Sequence, residues 1–128
     1  MNPRTKRNEA AERFEERRRR EDAAPRLKES VPNLATLKLV VDETHDTMGT
    51  GAGKYVRHVV VDRAAALFVI PCGDPACQGG GYDVTDDVMR ALRAGKETFA
   101  VDDHCHGSTA DGPCKRALKV DATATYRV

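Results

Sequence analysis

Residues 118–127 alternate without a break: Leu118, Val120, Ala122, Ala124 and Tyr126 against Lys119, Asp121, Thr123, Thr125 and Arg127. A period of two places the first set on one face of a strand and leaves the second in water. From Asn33 the same pattern predicts a first strand, with Leu37, Leu39 and Val41 set against Lys38 and Val40 as far as Asp42. Lys54 to Val61 reads as a second strand, and the unbroken apolar run Ala65–Ile70 as a third, central one. The period then lengthens. Val88, Ala91 and Leu92 fall on one helical stripe, Thr85 is suited to cap the free amides, and Asp86 and Asp87 suit the positive end of the dipole. Gly95 is the expected left-handed stop, so a helix is predicted to end at Ala94. Glu97 to Asp102 reads as a short strand with Phe99 and Val101 on one side.

The order is therefore three strands, a helix and two strands, with no internal repeat. The layer rule makes this an α+β fold: a small antiparallel sheet of about five strands with one helix packed on it. Strand order does not follow from the pattern.

Between the first two strands lies HDTMGTGAGK, residues 45–54. A phosphate-binding P-loop needs Gly five residues before its Gly-Lys pair and Ser or Thr after it. Met48 and Tyr55 stand there instead, and no helical pattern follows. The segment is read as the Gly-rich loop of a hairpin.

The first 29 residues have a different composition. Ten are basic and seven acidic, against 11 and 13 in residues 30–128, so the head carries +3 and the remainder −2. Glu9–Arg13, Glu15–Arg19 and Glu16–Arg20 are spaced i,i+4, which supports a solvated helix from about Asn8 to Ala23. Phe14 is its only large apolar residue, so no face is available for docking and a mobile charged arm ending near Pro25 is expected. The division is thus a charged arm, disordered or helical, at 1–29 and an α+β domain at 30–128. The chain's 128 residues allow one sizeable core, and aromatics make up only 5%, so a small core calls for another source of stability. The net charge of +1 does not mark a nucleic-acid or membrane binder as a whole. The first 20 residues hold no apolar run and no later stretch is long enough to span a bilayer, so no membrane association and a cytoplasmic location are expected.

In a reducing compartment four cysteines point to metal-bound thiolates more than to disulfides. Cys72-Gly-Asp-Pro-Ala-Cys77 leaves the end of an apolar strand and runs into Gln78-Gly79-Gly80-Gly81, the composition of a tight turn that aims two sulfurs at one ion. Cys105 and Cys114 bracket eight residues of loop composition between two strands. Two such pairs suit a closed, tetrahedral structural Zn2+ site. An iron–sulfur cluster and four separate buried thiols are the alternatives. His104 and His106 flank Cys105, with Asp102 and Asp103 nearby, but neighbours in a strand point to opposite faces, so neither imidazole is expected as a ligand or as the base of a catalytic pair. His45 and His58 are assigned to a loop and a strand surface.

The run IPCGDPACQGGGYDVTDDVMRAL, then Cys105-His106-Gly107, then GPCKRALKVDATATY resembles a group of small, uncharacterised bacterial proteins of zinc-ribbon type. The resemblance covers about residues 67–126 and leaves out the arm. It implies a shared metal-binding fold, Cys72, Cys77, Cys105 and Cys114 as ligands, and no assigned activity.

Two functions are compatible with these features. One is a zinc-stabilised module associated with RNA or the ribosome, with phosphate contacts from Arg17, Arg18, Arg19 and Arg20 on the arm and from Arg90, Arg93, Lys96, Lys115 and Arg116 on the body. Tyr55 and Tyr82 are its best candidates for stacking on bases. The other is a protein-interaction or regulatory adaptor with a purely structural zinc. A hydrolytic zinc enzyme needs an open coordination position, which four thiolates do not leave, so a non-enzyme is expected. No small-molecule substrate is implied.

Overall fold

The computed structural model describes residues 12, 15–45 and 50–127. In chain order they form helix α1 (15–23), helix α2 (Leu27–Ser30), strands β1 (Leu34–His45), β2 (Thr50–Val59), β3 (Val69–Ile70) and β4 (Tyr82–Asp83), helix α3 (Thr85–Arg93), and strands β5 (Thr98–His104), β6 (Ser108–Thr109), β7 (Gly112–Pro113) and β8 (Arg116–Tyr126). The long strands build one antiparallel sheet in the order β2-β1-β8-β5, and β3-β4 and β6-β7 are separate two-stranded ribbons.

Alternation sets the faces of the sheet. Leu37, Leu39 and Val41 of β1 lie opposite Ala124, Ala122 and Val120 of β8, and all are buried. A register shift between Leu34 and Thr36 returns Leu34 to the same side, where it is 2% exposed. The opposite face stays in solvent. Across it the register places Lys54, Asp42, Lys119 and Asp102 side by side, one from each strand, in alternating charge. Opposite charges at neighbouring positions let this face remain open to water.

Helix α3 has nine residues, too few to be stable alone. Val88, Met89 and Leu92 join the core of the sheet, each burial worth about 1.5–3 kcal/mol, and this holds the helix. Gly95 ends it at φ +73°, as its sequence position predicts. The cap differs from the expectation. Thr85 is inside the helix, its hydroxyl accepts from the Phe68 amide, and Asp83 accepts from the Thr85 amide in its place.

Two further expectations are corrected. Residues 65–70 are not a central strand: Val69 and Ile70 pair with the short β4, and Ala65 makes an isolated bridge with Arg26. Ala66, Phe68 and Ile70 are nonetheless buried, so the apolar run records core filling rather than a place in the sheet. The folded unit also begins before residue 30. Leu27 is completely buried, its amide donates to the Ala64 carbonyl, and the Ala66 amide donates to the Pro25 carbonyl. For the predicted arm helix, residues 15–23 are helical, while the part before residue 12 lies outside the described residues. The hairpin reading of 45–54 holds as the β1–β2 connection, though β2 starts four residues earlier than expected, and residues 46–49 lie outside the described residues. Among the described residues no helix is long and apolar enough to cross a membrane.

Candidate metal centre

The four cysteines come from three places in the chain. Cys72 follows β3, Cys77 ends the turn after it, Cys105 follows β5, and Cys114 lies between β7 and β8. Asp74 shapes the first turn: its carboxylate accepts from the Ala76 amide at 2.9 Å and its carbonyl from the Cys77 amide at 3.1 Å. The turn then reverses through Gly79 and Gly81, at φ +69° and +118°. Gln78 and Ser108 exchange backbone hydrogen bonds of 2.8 and 3.0 Å, joining this turn to the segment after Cys105. The Cys105 amide donates to the Arg116 carbonyl and the Cys114 amide to the Gly107 carbonyl, which positions the second pair.

All four Sγ atoms lie within 4.8 Å of one another. Cys72 and Cys114 are 3.8 Å apart, Cys77 and Cys105 3.6 Å. A tetrahedron with metal–sulfur bonds of about 2.3 Å has edges of about 3.8 Å, so the sulfurs surround room for one ion. Gly80 and Gly107 close the site. A Cβ on Gly80 would run into Cys77 Sγ and Cys105 Sγ, and one on Gly107 into Cys77 Sγ and the Gly80 backbone. The Gly81 amide donates to Cys105 Sγ at 3.4 Å.

The protons on these sulfurs respond to their surroundings unequally. Burial pushes the Cys77 thiol up to about 11, aided by hydrogen bonds with the Cys105 and Cys114 sulfurs. Burial likewise raises Cys72. Burial also acts against the Cys105 thiolate, but the amides of Gly81 and Gly107 overcome it and hold this thiol below its ordinary value. A metal ion taken up here displaces protons, so its affinity falls as pH falls.

Beside the cysteines is a buried polar group that the motifs did not single out. Glu43, 8% exposed, accepts from the Gly73 amide at 3.0 Å and the Tyr82 hydroxyl at 2.8 Å, and from Arg116 Nη1 at 3.0 Å. Gly73 directly follows Cys72, so the carboxylate orients the loop between Cys72 and Cys77. Burial opposes the Arg116 charge, but Glu43 overcomes it, with Asp74 and Cys72 adding to the effect, and the guanidinium is held above its ordinary value. The signal was present in sequence: Glu43 extends the buried parity of Leu37, Leu39 and Val41, and Arg116 that of Leu118 and Val120.

The structure gathers the predicted cysteines, while the predicted phosphate contacts divide among ion-paired, cavity-lining and exposed positions. Arg116 is withdrawn into the Glu43 pair and does not belong to an exposed basic surface. Tyr82 is 1% exposed and is no stacking platform, whereas Tyr55 is half exposed. Arg20 pairs with Asp83 at 3.0 Å, and Arg17 and Arg20 line a cavity with Cys72. Arg18, Arg19, Arg93, Lys96 and Lys115 are exposed, and Arg90 reaches Asp87 at 3.4 Å from an exposed position. His104 and His106 are exposed while Cys105 is buried, although β5 ends at His104 and does not continue through Cys105 and His106. Four clustered thiols able to hold a metal ion, braced by a buried carboxylate, are thus the chemistry of this chain, and no family model, curated protein or solved structure matches it.

Proposed function

We propose that this chain is a non-catalytic binding module whose fold is stabilised by one structural Zn2+ held by Cys72, Cys77, Cys105 and Cys114. The observation that carries the reading is the mutual approach of four sulfurs within 4.8 Å, which suits one ion with no coordination position open to a substrate. An iron–sulfur cluster distributes its thiolates over separate irons and suits so small a cage less well. The bound zinc would supply folding free energy, not chemistry. The purified chain should carry one zinc per molecule and lose cooperative structure on chelation. A metal-free preparation that melts cooperatively, or an undisturbed fold in Cys72→Ser, overturns the assignment.

RNA is the partner this reading places first, reached through the exposed Arg18 and Arg19 of α1, through Arg90, Arg93 and Lys96 of α3 and the loop beyond it, and through Lys115. For every phosphate that a variant no longer neutralises, the salt dependence of binding should flatten by about one unit of slope. Replacing Arg17 to Arg20 by Gln, and separately Arg90 with Arg93, should weaken binding to total cellular RNA. Tight binding by both variants, or none by the parent at physiological salt, removes the RNA reading. A protein adaptor is the second reading, favoured by the edge strand β2, which among the described residues pairs with β1 alone and where Lys54, Arg57 and His58 are exposed beside Tyr55 and Val56. That edge suits an acidic extended segment added as a further strand.

A further inference from the structure

Between α1 and the cysteine loop lies a cavity of about 560 Å3, lined by Arg17 and Arg20 on one side and by Cys72, Asp74, Cys77 and the Gly79–Gly81 turn on the other. Two of the four cysteines line it, and they differ in exposure. Cys77, Cys105 and Cys114 are 8%, 6% and 9% exposed, whereas Cys72 is only partly buried. Four thiolates on one divalent ion leave a net charge of −2, so each sulfur retains the electron density that an electrophile seeks. A cavity of this size admits hydrogen peroxide, the simplest two-electron oxidant of a thiolate.

We infer that Cys72 is the oxidant-sensitive ligand of this centre, that Cys114 resolves it into a disulfide with release of the metal, and that α1 limits access. In the first step Cys72 Sγ attacks one oxygen of hydrogen peroxide; the S–O bond forms, the O–O bond breaks and hydroxide leaves. In the second, the Cys114 thiolate, 3.8 Å away, attacks the Cys72 sulfenic acid; the S–S bond forms and a second hydroxide leaves. Two electrons have passed from the sulfurs to the peroxide. Two thiolates remain, too few for a closed site, and the ion departs. The Cys77–Cys105 pair is closer, at 3.6 Å, but is more deeply buried, so exposure and not proximity selects the pair. Helix α1 is anchored over the cavity by Arg20 and Asp83, both about half exposed, a pair weak enough to open.

The inference rests on the zinc reading, and the experiment separates the two. The full-length chain is assayed for zinc first, then treated with equimolar hydrogen peroxide while a chromogenic chelator follows released metal and mass spectrometry maps the disulfides. Expected are zinc release, Cys72–Cys114 as the first disulfide, and release about twofold to fivefold faster in Arg20→Gln at equal zinc content. Zinc present but retained, any other first disulfide, or an unchanged rate in Arg20→Gln overturns the inference. A preparation without zinc fails the metal reading alone, because the disulfide map still reports which thiol pair reacts first.

Discussion

Glu43 and Arg116 meet at 3.0 Å with side chains only 11% and 19% exposed, on adjacent strands and on the face that otherwise holds the apolar core. Each occupies the position where its strand's alternation would place another hydrophobic residue. The carboxylate also accepts from Gly73 and Tyr82, so the pair links the long sheet to the cysteine loop and to β4. Such a pair need not add to stability over an apolar pair of the same shape, but removing one partner strands the other without water.

Glu43→Ala should therefore cost about 3–5 kcal/mol in urea unfolding, since it leaves a buried guanidinium and a buried hydroxyl without their acceptor. It should also speed metal loss to a chelator, because Gly73 is no longer held. Unfolding at the parent's urea midpoint shows that the carboxylate is not structural.

Gly80→Ala tests the packing of the cage. A methyl group at this position meets Cys77 Sγ and Cys105 Sγ together, so the tetrahedron cannot form around it. The variant should purify with much less metal than the parent, while Gly79→Ala, whose Cβ meets nothing within 4 Å but sits at φ +69°, should keep its metal and lose only modest stability. Equal metal content in Gly80→Ala and the parent contradicts the close approach.

Asp83 predicts an acid dependence. Burial raises its pKa, but hydrogen bonds from Thr85 and the Arg20 charge overcome this and hold the carboxyl below its ordinary value. A depressed folded-state pKa contributes stability that is complete above the unfolded value of about 3.9 and is lost as pH falls through the folded one. Denaturation curves of the parent should thus steepen their loss of stability below about pH 4 relative to Asp83→Asn. The effect is small, because both side chains of the Arg20 pair are about half exposed. Parallel curves rule it out.

Leu27 places the start of the folded unit. Its side chain is fully buried, so Leu27→Ala should cost about 2–5 kcal/mol, and a chain starting at residue 30 should be destabilised at least as much. Full stability of such a chain in thermal melts restores the boundary after residue 29.

The strands of the sheet, the stripe and stop of α3, and the four cysteines were legible in the order of amino acids. A period of two, a period of 3.6 and a glycine after the last turn are local properties, read from neighbours a few residues apart. Relations between distant segments came from the folded chain instead. The run at 65–70 is apolar because it fills the core beneath the sheet, and apolarity alone does not distinguish this from a central strand. Arg116 reads as one more surface cation until the β1–β8 register brings it to Glu43, 73 residues away. Arg20 likewise finds Asp83 only through folding, across 63 residues. Charge and hydropathy belong to a residue, whereas burial and partnership belong to the pairing of strands, and that pairing is set by the packing of the whole chain.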